Sequence, residues 1–156
     1  MAKNYWLFKS EPRTFSIDHL SKSPGKRTYW DGIRNYQARN FIRDDMKKGD
    51  GVLFYHSNSD PLAVVGSCEI VKEGYPDHTQ FDPDNKHFDP TALQKEPRWY
   101  MVDIKLIEKF NNPVTLKEIK ENPKLKDIRL IKRGNRLSVF PVTKNEWNEI
   151  LQMCRK

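Results

Sequence analysis

The spacing of apolar residues along this chain changes period several times, and each change predicts an element. Residues 5–9 (YWLFK) set four apolar side chains in a row, the mark of a strand covered on both faces and so central in a sheet. Phe15 and Leu20 flank Ser16 as a hydrophobic staple flanks a helix N-cap, which predicts a short helix over 16–21. The basic run SKSPGKR (21–27) then reads as a flexible loop. Asp31 and Gly32 make a turn that carries Trp30. Asn35 stands as the next N-cap, and Ala38, Phe41, Ile42 and Met46 recur behind it at near-helical spacing. That predicts a helix over 36–45 with Gln37, Arg39, Asn40 and Arg43 off its core side.

A tight turn over 46–51 leads into a strand at 52–55, which YHSNSDP joins as a hairpin to a strand at 62–71. Gly66 within the second strand predicts a bulge or a close backbone approach. Residues 72–96 scatter prolines among aspartates and histidines, a long ordered loop of the length that usually has a role. From 98 to 108 the chain alternates, with Tyr100, Val102, Ile104 and Leu106 on one face and Met101, Asp103 and Lys105 on the other. Thr115 with Glu118, and Thr143 with Glu146, form capping boxes that open two more helices, the first over 116–121. The last helix puts Trp147, Ile150, Leu151 and Cys154 on one face, which predicts Trp147 in the core. A short strand at 137–140 completes the set. Short helices among about five strands, without regular βαβ alternation, predict an α+β domain built on a small, mainly antiparallel barrel.

Composition narrows the partners more than the fold. The 156 residues suit one domain, 1–156, with 37% hydrophobic and 31% charged residues, a globular balance. No apolar run approaches the roughly 20 residues of a spanning helix, and MAKNYWLFKSEP lacks the apolar core of a signal peptide, so a cytoplasmic protein is expected. Cys68 and Cys154 show no metal or disulfide spacing and read as reduced. The net charge of +7, from 28 Lys and Arg against 21 Asp and Glu, favours a polyanionic partner.

The candidate chemistry gathers around YWDGIRNYQARNFIR (29–43). A Trp before a turn is most often a hydrophobic plug, yet here it adjoins a helix start and two arginines, a corner suited to a planar, anionic ligand. Lys22 and Lys26 in the basic loop, Arg39 and Arg43 on the helix, and Arg133 and Arg136 beside Gly134 are candidate phosphate contacts. His56 has no partner at the spacing of a catalytic triad. Asp77, His78, Asp82, Asp84, His87 and Asp89 match no metal-binding spacing, so neither a metal nor a cofactor is expected.

Seven blocks in one order, KSEP (9–12), WDGIRNYQARN (30–40), VLFYHSN (52–58), VVG (64–66), YPD..QFDP (75–83), PRWYMVD (97–103) and RLSV (136–139), resemble the EVE domain of the PUA-like superfamily. The resemblance implies a PUA-like pseudobarrel with helices packed outside. It also implies a non-catalytic reader, similar in this respect to YTH and ASCH domains, that takes a modified base such as 5-methyl- or 5-hydroxymethylcytosine out of a strand, from DNA ahead of RNA. Carried onto matching positions, the pocket would draw on Lys9, Ser10, Trp30, Asn35, Tyr36, Gln37, Tyr55, His56, Ser57, Arg98, Trp99 and Ser138; by its place in the alternating strand, Trp99 either caps the barrel or forms the second wall of an aromatic cage beside Trp30. The competing class is a hydrolase or nuclease acting through Glu11, Asp31 and His56 in the same pocket.

Overall fold

Six strands, β1 (Tyr5–Ser10), β2 (Arg27–Tyr29), β3 (Gly51–His56), β4 (Ala63–Pro76), β5 (Tyr100–Thr115) and β6 (Val139–Val142), join in one mixed sheet ordered β2-β5-β4-β3-β1-β6. This computed structural model describes residues 3–155. Only β1 and β3 run parallel; every other pairing is antiparallel. A parallel pair needs a crossover, and the chain from 11 to 50 supplies it, carrying α1 (Ile17–Lys22), β2 and α2 (Tyr36–Asn40). The crossover delivers Trp30 to the sheet's edge.

β1 is central, as its apolar run predicts: Trp6, Leu7 and Phe8 are buried between β3 and β6. The β3–β4 hairpin forms, and the register slips beside Gly66. A Cβ there would meet Ile17 Cδ1 at 2.1 Å and the Glu108 carbonyl at 2.6 Å, so the glycine serves a close approach within the protein. β4 and β5 are longer than the alternation predicts. β5 continues past Glu108 through Asn111, Asn112 and Pro113: pairing jumps from Gly66–Lys109 to Val64–Val114 and leaves 110–113 as a bulge. Such slips let long strands curl around a core.

The loop expected over 72–96 is likewise shorter: 72–76 belong to β4, and a 3-10 turn spans His78–Phe81. The basic loop gives way to a 3-10 turn over Pro24–Lys26 and the short edge strand β2. The closing strand lies two residues later than expected, with Pro141 tolerated because β6 is an edge.

Helix starts follow their caps. Ser16, Asn35, Thr115 and Thr143 each accept a backbone N–H through the side chain, opening α1, α2, α3 (Leu116–Glu121) and α4 (Lys144–Met153). α2 runs on as a wider π turn over Phe41–Asp45, so Ala38, Ile42 and Met46 are buried while Phe41 stays half-buried. Trp147 packs on Tyr5, ring centroids 4.7 Å apart, but remains half-buried, against the expectation of a core position. Trp30 is the more enclosed of the two, at 8% exposure.

Candidate functional site

Trp30 leaves β2 with its N–H donating to the Val102 carbonyl at 2.8 Å. Its indole is braced by Phe8, Phe15 and Phe54, with centroids 5.2, 6.3 and 5.6 Å away. The same ring lines a cavity of about 980 Å³, so plug and wall are one side chain. Around it stand Lys9 from the end of β1, Phe15, Asp31, Ser138 and the segment Asp84, Asn85, Lys86 and His87. Charge in this cavity is mixed: Lys9 and Lys86 face Glu11, Asp31 and Asp84. Burial lowers the pKa of Lys9, whose ammonium lies 5.8 Å from the centre of the Phe140 ring. An aromatic wall with a rim of donors and acceptors is what a polar heterocycle needs for orientation.

Asp77, Arg34, Gly32 and Gln80 hold the cavity's wall in place, and motif reasoning gave Arg34 and Gln80 no role. Asp77 is fully buried and accepts from the Gly32 amide at 2.8 Å, the Thr79 amide and hydroxyl, and Arg34 Nη1 at 3.0 Å. Burial opposes its charge, yet these bonds outweigh burial and hold its pKa below the usual carboxylate range. Arg34 donates onward to the His87 carbonyl at 2.6 and 3.1 Å, tying the Trp30 turn to the 84–87 segment. Gly32, at φ +83°, has no room for a Cβ, which would lie 2.6 Å from His87 Nε2. Gln80 completes the frame, donating to the Asp77 and Trp99 carbonyls and accepting from the amides of Arg98 and Trp99. Asp77 and Gln80 lie in YPD..QFDP, but a motif does not show which carboxylate turns inward.

The expected pocket residues separate into groups. Lys9, Trp30 and Ser138 meet in the large cavity. Ser10, Tyr55, His56 and Ser57 do not line it. Ser10 Oγ donates to the Phe15 carbonyl and Ser57 N–H to the Ser10 carbonyl. His56 Nε2 accepts the Ile17 amide at 3.1 Å, and burial lowers its pKa. Tyr55 is buried and its hydroxyl pKa is pushed up to about 12. Alternation turns Tyr55 to the face opposite Phe54, whereas His56 shares the Phe54 face, ring centroids 5.7 Å apart, and is kept off the cavity by its bond from the Ile17 amide.

Trp99, the candidate second wall beside Trp30, also lies off the cavity lining: it stacks on Tyr36 with centroids 5.0 Å apart and donates its indole N–H to Asp89. The Thr91 hydroxyl, and then this indole bond, hold the Asp89 pKa down to about 2. Arg39 covers the Tyr36 ring at 4.9 Å and donates to the Arg98 carbonyl, and Arg34 lies over Trp99 at 5.4 Å. Tyr36 keeps 52% exposure. Asn35 and Gln37 line a second cleft of about 450 Å³ with Arg133 and Arg136. Arg43 is paired with Asp44 on the surface, and Lys22 and Lys26 line neither opening.

The EVE domain profile matches residues 4–153. The chain belongs to the EVE domain family. Mouse thymocyte nuclear protein 1 is 42% identical over 96% of this chain and 73% of its own length. A crystal structure of the human THYN1 protein in complex with 5-methylcytosine-containing DNA superposes with a TM-score of 0.92 at 40% identity, covering 99% of each chain. A Leishmania major protein of solved structure gives the same TM-score at 44% identity over 99% of this chain and 96% of its own. The sheet with its outer helices is thus the PUA-like α+β pseudobarrel that the sequence resemblance implies. No helix among the described residues is long and apolar enough to cross a membrane.

Proposed function

We propose that this EVE domain binds DNA and reads a modified base, such as 5-methylcytosine, received into the cavity beside Trp30 without turnover. The observation that carries the reading is a Trp ring already fixed by three phenylalanines and still lining an open, polar-rimmed cavity. A base that leaves its stack forfeits a few kcal/mol, and aromatic contact returns about 1–3 kcal/mol. A methyl group filling apolar space near Phe15 and Trp30 then decides the margin, worth about 0.8 kcal/mol if fully buried. The relative bound to 5-methylcytosine-containing DNA at 40% identity supports the ligand class.

The enzyme reading through Glu11, Asp31 and His56 is disfavoured by one placement: His56 does not line the cavity, and its Nε2 is engaged by the Ile17 amide. The test is a binding panel of single- and double-stranded oligonucleotides carrying unmodified, 5-methyl, 5-hydroxymethyl or N6-methyl bases, with and without divalent metal. Preferential retention of a modified strand with no product supports the reader. Equal affinity for all strands, or product formation, overturns it.

A further inference from the structure

The second cleft differs from the first in charge. Arg129, Lys132, Arg133 and Arg136 line it with Asn35, Gln37 and Asn135, and no carboxylate among the described residues lines it. Arg133 and Arg136 make no ion pair among the described residues, whereas Arg27, Arg34, Arg43 and Arg155 each do. Lys132 reaches only the exposed Asp127, at 3.4 Å. Asn135 shapes the turn from within, donating to the Arg129 carbonyl at 3.0 Å and accepting from the Leu137 amide. Gly134, at φ +82° with nothing within 4 Å of a Cβ, leaves the backbone bare between the arginines.

The two openings draw on the same two segments of chain. Ile33 and Ser138 line the large cavity, while Asn35 and Leu137 line the basic cleft. Leu137 and Ser138 are neighbours, about 3.8 Å apart along the chain, and Ile33 and Asn35 flank Arg34, so the cleft and the cavity meet at these two segments.

We infer that the cleft lined by Arg129, Lys132, Arg133 and Arg136 seats the phosphodiester flanking the nucleotide whose base enters the Trp30 cavity, so that the ligand is a strand and not a free base or nucleoside. The inference rests on the base-reading proposal for the position of the base, and on the charge of the cleft for the phosphate. The mixed charge of the large cavity, with three carboxylates, suits an uncharged heterocycle and repels a phosphate. The carboxylate-free cleft suits the phosphate, and its arginines present forked donors that match phosphate oxygens. Phosphate contacts hold register but carry no base information. The cleft therefore sets affinity while the cavity sets preference.

Fluorescence anisotropy tests the division, using a single-stranded oligonucleotide with one central 5-methylcytosine, its unmodified twin and the free 5-methyldeoxycytidine nucleoside as competitor. The double variant Arg133→Gln/Arg136→Gln is expected to lose about tenfold in affinity per charge removed, equally for both oligonucleotides. The slope of log affinity against log salt should become shallower by about 0.7 per lost contact. The preference between the two strands should stay as in the parent, and the nucleoside should compete only at far higher concentration. Arg155→Gln, which removes an arginine already paired with Glu108 and lining neither opening, is the control and should leave affinity within about twofold. Both cleft positions are exposed, so urea midpoints should not move.

An unchanged salt slope and affinity in the double variant overturns the cleft assignment, as does a preference that collapses with it. A nucleoside that competes as well as the strand overturns it too. Should the parent bind both oligonucleotides equally, the base reading fails; a salt slope still lowered in the double variant then supports the cleft as a strand-binding surface on its own.

Discussion

Trp30 is nearly buried and also walls a cavity, so its truncation acts on two quantities at once. Trp30→Ala is expected to cost about 3–5 kcal/mol of stability, a large share of the ~5–15 kcal/mol of such a domain, and a stacking face worth roughly 5- to 150-fold in affinity. Trp30→Phe keeps a ring on Phe8 and Phe54 and should lose clearly less stability, which lets affinity be measured on folded protein; urea midpoints and anisotropy on both variants decide. Trp147→Ala, at a partly buried ring, should be the milder of the two alanine variants, the reverse of what helical spacing alone suggests. Gly32→Ala meets both a left-handed φ and the His87 ring and should destabilise by at least about 1–2 kcal/mol. Burial lowers the pKa of His56 below its ordinary 6.5, so the folded state prefers the neutral ring that accepts from Ile17. Its contribution is full above pH 6.5 and is lost as pH falls below that value. Urea midpoints compared above and below pH 6.5 should drop more in the parent than in His56→Gln; an equal drop removes His56 as the cause.

At the scale of elements, the cavity depends on a junction between two irregular segments and not on a helix or strand. Arg34 and Asp77 fasten the Trp30 turn to residues 77–87 through a half-buried ion pair and two bonds to one carbonyl. Arg34→Met leaves Asp77 with the Gly32 and Thr79 donors but without a counter-charge, and should cost about 3 kcal/mol. It should also weaken preference for a modified base, because the 84–87 wall is no longer tied; Arg34→Lys, which cannot fork, should restore the charge but not the preference. A preference unchanged in both variants separates the clamp from the site. The helices were legible because their signals are local: each capping residue and its partner lie within three positions, as in Thr115 with Glu118. The ends of β4, β5 and β6 were not, because Pro113 and Pro141 break a strand only where a ladder bond is needed, and whether one is needed depends on the neighbouring strand.

For the molecule as a whole, net charge of +7 predicts that affinity for any strand falls steeply with salt, by a slope proportional to the phosphates contacted. A salt-independent affinity points to an uncharged ligand instead. Charge total is a property of the sequence, but the separation of a carboxylate-bearing cavity from a carboxylate-free cleft is a property of the fold. The sequence by itself determined the α+β class, the caps, the central first strand and the family, since period, capping spacing and block order all lie along the chain. Which aromatic walls the cavity, and which merely stacks outside it, lay beyond such patterns. Trp30 and Trp99 are both followed by polar or aromatic neighbours and both end up at most 8% exposed. Only the packing of Phe8, Phe15 and Phe54 behind one, and of Tyr36 over the other, set them apart. Those contacts join residues far apart in the chain, and a contact at long separation leaves no period to read.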